Sequence, residues 1–369
     1  MKKRMVISAV NIVEGGMLTV LRDCLRAAAT NLSSDWEIVA LVHSEELIDE
    51  PRIKLIAFPE AKRSWIRRVW LEWYGFANFF KNVRVDFWFS FHDITPRVKS
   101  ERQAVYCHNA IPFYKMPFRE ARMEPKLWLF NKFYGGLYRA FIHRNDLVIV
   151  QQQWLRDLFS QKYGVSSVLV AHPDVRSVPA NDLTSNAEGD KVILLYPTLS
   201  RAFKNVEIVL EAMRLIAKDG QSSVEFRVTL DGNESVYSRW LYAKFKNVPG
   251  VKFIGRQTVE QMKNQYRCAS AIVFPSKLET WGLPISEAKA WGKPLLVADL
   301  AYAHETVGEY HQVSFLPVTE PESWAREILA MAQNTWKPEK SESLQISYPY
   351  VDSWADLWAF LIERLDMLK

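Results

Sequence analysis

Two glutamates separated by seven residues stand where an apolar segment gives way to a helical one. Glu279 follows residues 271–274, which are typical of a buried strand, and Glu287 lies in a helix predicted over 283–291. Gly282 lets the backbone between them approach a ligand closely, and the first N–H groups of the helix suit an anion. A carboxylate accepts hydrogen bonds through two oxygens, which suits the vicinal hydroxyls of a sugar or a ribose. This stretch therefore predicts a binding site for such a molecule.

Two cations stand in a similar position after another apolar segment. Arg201 and Lys204 follow a strand predicted over 191–196 and come just before a helix predicted over 205–218. An arginine holds a phosphate through two N–H groups, and a lysine adds a point charge. Because ligands of α/β domains bind beyond the carboxyl ends of the strands, this loop is predicted to bind an anion.

Glycines and histidines after three further predicted strands add candidates. Gly15 and Gly16 lie between the first strand and the first helix, where glycine lets backbone amides approach a phosphate. His108 follows an apolar strand and can hydrogen-bond a hydroxyl group or steady a developing charge. His92 and Asp93 follow the strand before it and are acceptor-side candidates.

The elements that must position these residues form two series of alternating strands and helices. The first series has strands predicted over 5–9, 37–42, 87–91, 103–107, 146–150 and 168–171. Residues 176–190 are rich in turn formers and are the predicted linker. The second series has strands predicted over 191–196, 225–231, 252–254, 271–274, 294–298 and 313–316. This alternation predicts two doubly wound α/β domains with ligands bound in a cleft between them.

The composition fits this architecture and sets the class of protein. A chain of 369 residues suggests two domains, and 49% apolar with 24% charged residues is ordinary for a globular protein. The three cysteines are odd in number and far apart, which indicates neither a disulfide framework nor a zinc site. No secretory signal and no apolar run of roughly 20 residues is present. These features predict a cytoplasmic location.

The stretch E-T-W-G-L-P-I-S-E-A over 279–288 resembles the E-x7-E motif of glycosyltransferase family four. That family consists of retaining enzymes with the GT-B fold, in which two Rossmann-like domains face a central cleft. The resemblance is dense over 191–332 and thin in the first half of the chain. It implies an acceptor-side domain over 1–175, a nucleotide-sugar domain over 190–350, and a C-terminal helix over 351–369 that packs back on the first domain.

The resemblance also implies a role for each candidate residue. Glu279 would contact hydroxyls of the donor sugar, Glu287 would bind the ribose, and Arg201 would neutralise the diphosphate leaving group. The implied catalytic residues are Glu279, His108 and Arg201. The implied donor-binding residues are Lys204, Glu287, Gly15, Gly16, Thr280, Trp281, Gly282 and Leu283, and the acceptor-side candidates are His92 and Asp93. The resemblance implies no metal, and the donor is a substrate, so no cofactor is predicted.

We therefore predict a retaining glycosyltransferase that moves a hexose from a GDP- or UDP-linked donor to a glycan or a lipid-linked glycan. Synthesis of cell-surface polysaccharide or lipopolysaccharide is the expected setting, and a mannosyltransferase-like activity is one form of it. An NAD-type oxidoreductase is an alternative, although no complete G-x-G-x-x-G follows a strand. A non-catalytic sugar-nucleotide-binding protein on the same scaffold is another. No nucleic-acid-binding motif is present, and a net charge of +5 is mild.

Residues 62–74 mix cations with large aromatic side chains. A basic amphipathic helix that contains Trp can lie in a membrane interface, which suits a lipid-linked acceptor and a peripheral contact with the anionic inner face of the cytoplasmic membrane. A helix that covers the first sheet with its cations in solvent has the same composition. The sequence leaves both readings open.

Overall fold

The computed structural model describes residues 2–174, 191–218, 220 and 223–367, so the predicted linker at 176–190 lies outside the described residues. The chain divides into two compact units. The first comprises Met1–Phe113, Lys132–Asp174 and Ile346–Lys369, and the second comprises Tyr114–Asn131 and Val175–Gln345. Tyr114–Asn131 therefore belongs to the second unit although it lies within the range 1–175. The physical reason is that its carboxylates pair with cations of that unit, as described below.

Fifteen strands occur in the described part of the chain. They are β1 Lys3–Ser8, β2 Trp36–Val42, β3 Lys54–Ala57, β4 Phe87–Ser90, β5 Arg102–Cys107, β6 Leu147–Val150, β7 Val168–Ala171, β8 Val192–Tyr196, β9 Val224–Val228, β10 Val251–Phe253, β11 Ala271–Phe274, β12 Leu295–Ala298, β13 Tyr310–Leu316, β14 Glu339–Ser341 and β15 Tyr350–Val351.

The same described residues form thirteen α-helices, joined by loops and short 3₁₀ turns. They are α1 Gly15–Asn31, α2 Trp65–Trp70, α3 Phe76–Phe79, α4 Phe118–Met123, α5 Pro125–Arg139, α6 Gln153–Tyr163, α7 Val206–Lys218, α8 Val236–Phe245, α9 Val259–Cys268, α10 Leu283–Ala290, α11 Ala301–Val307, α12 Pro321–Ala332 and α13 Trp354–Met367. A π-helical turn, Leu71–Gly75, joins α2 to α3. In the described part of the chain, no helix is long and apolar enough to cross a membrane.

The first unit contains an eight-stranded sheet in the order β15-β7-β6-β5-β4-β1-β2-β3. All of its paired strands are parallel. The strand order reverses between β1 and β4, and loops at such a switch point leave the sheet in opposite directions, which opens a crevice for ligands. Gly15 follows β1 and His92 follows β4, so the sequence candidates of this unit lie at the switch point.

Helices cover this sheet because their apolar residues recur on one face. In α1 the buried side chains include Leu18, Leu21 and Leu25, which follow the helical period. The C-terminal helix α13 contacts α1, and Trp358 donates a hydrogen bond from Nε1 to the carbonyl of Cys24 over 3.0 Å. The last helix of the chain thus completes the core of the first unit.

The second unit contains a seven-stranded sheet in the order β10-β9-β8-β11-β12-β13-β14. Its paired strands are parallel except for β14, which pairs with β13 in the antiparallel direction. Here the order reverses between β8 and β11. The two units therefore confirm the prediction of two doubly wound α/β arrays, and the motif loops of the second array follow the two strands at its switch point.

Candidate functional site

The loops that follow β8 and β11 are bonded to each other. Since β8 and β11 are paired strands, with Ala271 opposite Leu194, their loops leave the sheet side by side. The backbone N–H of Lys277 donates to the carbonyl of Phe203 over 2.7 Å, and Asn205 donates from Nδ2 to the carbonyl of Pro275 over 3.2 Å. The two sequence motifs, which are joined by a contact between residues 70 positions apart, thus form one structure.

Lys204 and Glu279 form an ion pair across these two loops. Lys204 Nζ lies 2.5 Å from Glu279 Oε1, and the two side chains are only 17% and 13% exposed. Tyr196, at the end of β8, donates its hydroxyl to the carbonyl of Lys204 over 2.8 Å. Burial raises the pKa of Tyr196, and the charge of Glu279 adds to the effect, so the hydroxyl keeps its proton and its role as donor. The structure therefore brings these two predicted residues into direct contact.

Arg201 precedes Lys204 on the same loop and is far more exposed. Its side chain is 51% exposed, and Nη1 lies 3.2 Å from Oε1 of Glu124, whose side chain is 6% exposed. The third cation of these loops, Lys277, places Nζ 3.0 Å from Oε1 of Glu120. Each of the three cations therefore has a carboxylate partner within the second unit. Only Arg201 presents half of its side chain to solvent, where an incoming phosphate can reach it.

Gly282 shapes the backbone that follows Glu279. Its φ is 91°, and a Cβ at this position would lie 3.2 Å from Cε1 of Phe274, so both the conformation and the space favour glycine. Trp281 is buried and donates from Nε1 to Ser286 over 2.9 Å, while Thr306 donates to the carbonyl of Trp281. These contacts fix the conformation of the loop.

Three backbone N–H groups of this loop are open to a ligand. Within the described residues, the N–H groups of Thr280, Gly282 and Leu283 donate no hydrogen bond to another part of the chain. Leu283 is the first residue of α10, where such groups have no partner inside the helix. Amides that converge at a helix start bind negatively charged or polar groups.

Glu287 is exposed on α10 and is oriented by a tyrosine. Tyr266 donates its hydroxyl to Oε2 of Glu287 over 2.6 Å, and its ring stacks on Trp291 with the ring centroids 5.7 Å apart. Burial raises the pKa of Tyr266, and Glu287 adds to the effect, so the hydroxyl stays protonated. The tyrosine therefore holds one carboxylate oxygen and fixes the direction of the other.

In the first unit, Gly15 and Gly16 begin α1 directly beyond β1. Both are exposed, and Gly15 has a φ of 70°, a conformation that favours glycine. A Cβ on Gly15 would meet no atom within 4 Å, so the space next to it is open. The structure thus presents the start of α1 to solvent, as a phosphate-binding loop requires.

His92 is fully buried and engaged with its neighbours. Ser8 Oγ lies 2.9 Å from its Nε2, and Arg68 donates from Nη2 to its carbonyl over 2.7 Å. Glu72, on the π-helical turn, places Oε1 3.0 Å from the same Nε2. Because the side chain of His92 does not reach the surface, its contribution to the site is to support the loop after β4.

Asp93 ties that loop to the next strand end. Its φ is 71°, which is unusual for a residue other than glycine and costs about 1–3 kcal/mol. Its carboxylate offsets this cost by accepting three hydrogen bonds, from the backbone N–H of His108 over 2.8 Å, from Tyr138 over 2.9 Å and from Tyr134 over 3.0 Å. Asp93 therefore sets the position of His108.

His108 is a buried, neutral imidazole. Burial disfavours its charged form and lowers its pKa to about 4, although Asp93 acts in the opposite direction. Its Nδ1 has no hydrogen-bond partner among the described residues. At neutral pH the ring can thus accept or donate one hydrogen bond without carrying charge. This property suits contact with a sugar hydroxyl.

Comparison with known proteins places this geometry in a family. Residues 182–345 match the model of the family described as glycosyl transferases group 1. That part of the chain is similar to this family. The match contains both loops of the second unit, with Arg201, Lys204, Glu279 and Glu287.

Relatives and solved structures agree with the family match. The chain is 26% identical over 201 residues to D-inositol 3-phosphate glycosyltransferase from Streptomyces bingchenggensis, a match that covers 50% of this chain and 44% of that protein, or less than half of its length. Sucrose-phosphate synthase from Thermosynechococcus elongatus has a similar structure, with a TM-score of 0.67, 14% identity and 100% of both chains covered. The lipopolysaccharide outer core galactosyltransferase WaaB is similar at a TM-score of 0.63 and 13% identity, with 98% of this chain and 95% of that chain covered.

The similar solved structures confirm the GT-B fold. Among the described residues, no group of three or more His, Cys, Asp or Glu side chains is placed to hold a metal ion.

The structure adds residues to the site that the sequence did not indicate. Glu124 contacts Arg201 and Tyr266 contacts Glu287, while Asn205, Lys277 and Glu120 join or support the two loops. The clearest sequence signal was the asparagine at position 205, because this residue type tolerates the left-handed conformation that the structure shows there, with a φ of 56°. For Glu120 and Glu124 no local signal existed, because they lie in a helical segment of ordinary composition far from the motifs.

Proposed function

We propose that this protein is a retaining glycosyltransferase that moves a hexose from a nucleotide diphosphate sugar to a glycan or a lipid-linked glycan. The observation that carries the proposal is the single structure formed by the loops after β8 and β11. It combines the exposed cation Arg201, the Lys204–Glu279 pair and a run of open backbone N–H groups. The family match over 182–345 supports the same reaction class.

Separate groups of residues bind the ribose, the diphosphate and the sugar of the donor. Glu287, oriented by Tyr266, binds the ribose hydroxyls through its carboxylate. Arg201 and Lys204 bind the diphosphate together with the N–H groups of Thr280, Gly282 and Leu283. Glu279 contacts the sugar hydroxyls, and its pairing with Lys204 links sugar recognition to the cation that meets the leaving group.

The chemistry follows from where charge develops. When the bond between the sugar and the diphosphate breaks, negative charge grows on a phosphate oxygen. Fixed donors that already point at that oxygen stabilise it without having to reorganise. Glu279 and Glu287 do not act as a glycosidase pair, since one is paired with a lysine and the other with a tyrosine, and both suit substrate positioning.

The acceptor side belongs to the first unit. The neutral ring of His108, held by Asp93, can hydrogen-bond a hydroxyl of the reacting sugars. The names of the relatives point to polyhydroxylated acceptors, since one is an inositol phosphate glycosyltransferase and another builds the lipopolysaccharide outer core. We therefore propose a role in the synthesis of a cell-surface polysaccharide or lipopolysaccharide.

The function is tested by turnover of defined donors. Purified protein is incubated with a glycan acceptor and UDP-glucose, UDP-galactose, GDP-glucose or GDP-mannose, with and without EDTA, and the release of nucleoside diphosphate is measured. We expect release from one donor, unchanged by EDTA, and a sugar product that NMR shows to keep the anomeric configuration of the donor. Reduction of NAD, or no release from any donor while NAD binds, would overturn the proposal.

We further propose that the first unit contacts an anionic membrane through the segment that contains α2. One face of this segment joins the core, where Leu71 and Phe76 pack against Val6 and Trp88. The other face exposes large apolar side chains, namely Trp65 at 45%, Ile66 at 84%, Trp70 at 52% and Tyr74 at 54%. The sequence allowed either a membrane-interface helix or a helix that covers the first sheet. The exposed face of this segment fits the first interpretation, and its buried face fits the second.

Cations flank this exposed apolar face. The side chains of Arg63 and Arg67 are 75% and 54% exposed, and the Arg67 guanidinium lies 5.8 Å from the centroid of the Trp70 ring. Arg68, in contrast, is buried and bonded to His92. Aromatic side chains at the headgroup level with cations beside them are the pattern of a helix that lies in an anionic interface.

Replacing Arg63 and Arg67 together by Glu is expected to release the protein from vesicles of phosphatidylglycerol and phosphatidylcholine. Each cation near an anionic surface contributes about 1 kcal/mol, so binding should fall by at least tenfold in co-sedimentation, and added salt should weaken the wild-type binding. Arg84→Glu is the matched control, because Arg84 is 71% exposed but lies beside Asp86 and Glu101. Equal binding by the double variant and the wild type would refute the membrane contact.

A further inference from the structure

The segment Tyr114–Asn131 supplies a carboxylate to the proposed diphosphate loop. We propose that Glu124 is a positioning residue for donor binding, which holds the guanidinium of Arg201 and the start of the turn behind it in the orientation that a nucleoside diphosphate requires. This inference rests on the proposed function, since it assigns a second residue to the diphosphate part of the same site.

The two oxygens of Glu124 bind different parts of the loop. Oε1 lies 3.2 Å from Nη1 of Arg201, and Oε2 accepts the backbone N–H of Ala202 over 2.7 Å. The carboxylate thus spans the side chain of one residue and the main chain of the next. This arrangement fixes the direction in which the arginine leaves the backbone.

The difference in exposure decides which role Glu124 can have. Its side chain is 6% exposed, whereas that of Arg201 is 51% exposed. The carboxylate therefore lies beneath the guanidinium, and the solvent side of Arg201 is left for a ligand. An arginine has five N–H donors, so one bond to Glu124 leaves enough donors for a bidentate contact with phosphate.

Glu124 is itself held firmly. It follows α4, precedes Pro125, donates its backbone N–H to Glu120 over 2.9 Å and accepts from the N–H of Trp128 over 2.9 Å. Two ion pairs fasten α4 within the second unit, from Glu120 to Lys277 and from Arg119 to Glu207, each at 3.0 Å. A side chain on such a fixed support can orient another, as ligands around metal sites are oriented by their outer partners.

A competing role makes the opposite prediction. If the carboxylate stood where the phosphate binds, donor binding would have to displace it, and removing its charge would tighten binding. If Glu124 positions Arg201, its removal weakens binding. The sign of the change in Kd therefore separates the two roles.

The test is a titration of UDP and GDP into wild-type protein, Glu124→Ala and Glu124→Gln, with calorimetry for Kd and melting temperature as a check of folding. We expect Glu124→Ala to raise Kd about tenfold, at the lower end of the loss seen when an outer partner is removed. Glu124→Gln should recover part of it, since its amide oxygen can still accept from Ala202. Glu211→Ala is the matched control, because it loses ion pairs with Arg214 and Lys244 that lie outside the two loops of the site, and its Kd should change less than twofold.

Combination with Arg201→Ala tests whether Glu124 acts through that arginine. In the Arg201→Ala background, Glu124→Gln should add less than a twofold change, because partners in one contact are not additive. Wild-type affinity or tighter binding in both Glu124 variants overturns the inference, and so does a fully additive loss in the double variant. In either case, weaker binding by Arg201→Ala leaves the proposed function in place. If wild-type protein binds neither UDP nor GDP, the proposed function fails and the inference fails with it.

Discussion

Replacing Arg201 by Ala is expected to lower kcat by about 10² to 10³ with the fold intact, which is the usual cost of removing one preorganised donor to a developing charge. The stability should change little, because the side chain is 51% exposed and Glu124 keeps the N–H of Ala202 as a partner. The measurement is kcat on the donor that turns over, together with the melting temperature.

Arg214→Ala is the matched control for this variant. Arg214 is 49% exposed and pairs with Glu211 at 2.6 Å, but it lies on α7 and outside the two loops of the site. Its kcat should stay within twofold of wild type. Near-normal turnover in Arg201→Ala would remove Arg201 from the catalytic role.

Replacing Lys204 by Met is expected to lower kcat by a similar factor of about 10² to 10³ and also to lower the stability. The lysine is 17% exposed and leaves behind a carboxylate, Glu279, that is 13% exposed and has lost its cation. The ion pair is neither fully exposed nor fully buried. Removing one of its partners is therefore expected to lower the free energy of unfolding by about 1–3 kcal/mol. Turnover and urea unfolding together measure the two effects.

The double variant Lys204→Met with Glu279→Gln separates activity from stability. Because it removes both charges, it should recover most of the lost stability while turnover stays low. Recovery of turnover together with stability would contradict a direct role of these residues in catalysis. The contrast with Arg201→Ala, which should lose activity alone, follows from the different burial of the two cations.

The main motifs were predictable because they combine local signals. Strand β11 was predicted over the residues where it occurs, and β8 differs by one residue at its start. Apolar runs of four or five residues before a loop with glycine or a cation are the normal form of a parallel strand end. Once both loops are placed at strand ends, the topology of a doubly wound sheet brings them together.

Short and half-exposed strands were missed because they lack these local signals. Strand β3, Lys54–Ala57, has exposed residues at both of its ends, and β14 and β15 have three and two residues. Such segments pair with a neighbour without burying an apolar face, so hydrophobic periodicity does not mark them. The π-helical turn that carries the buried Glu72 is likewise invisible in the pattern of apolar residues.

Contacts between distant parts of the chain limited the prediction of the site. Glu124 and Arg201 are 77 positions apart, and α4 has no feature that assigns it to the second unit. The sequence placed both His108, a catalytic candidate, and His92, an acceptor-side candidate, after predicted strands. The structure separates them, since His92 is enclosed by Ser8, Arg68 and Glu72, whereas Nδ1 of His108 has no partner among the described residues.

The central claim is that the second unit binds a nucleoside diphosphate, and thermal shift tests it most directly. The melting temperature of wild-type protein and of Glu287→Ala is measured against UDP, GDP, ADP and NAD. A ligand at a hundredfold excess over its Kd stabilises the native state by about 2.7 kcal/mol. We predict a rise with UDP or GDP that is lost in Glu287→Ala and no rise with NAD. A rise with NAD alone, or no rise with any nucleoside diphosphate, would contradict the account.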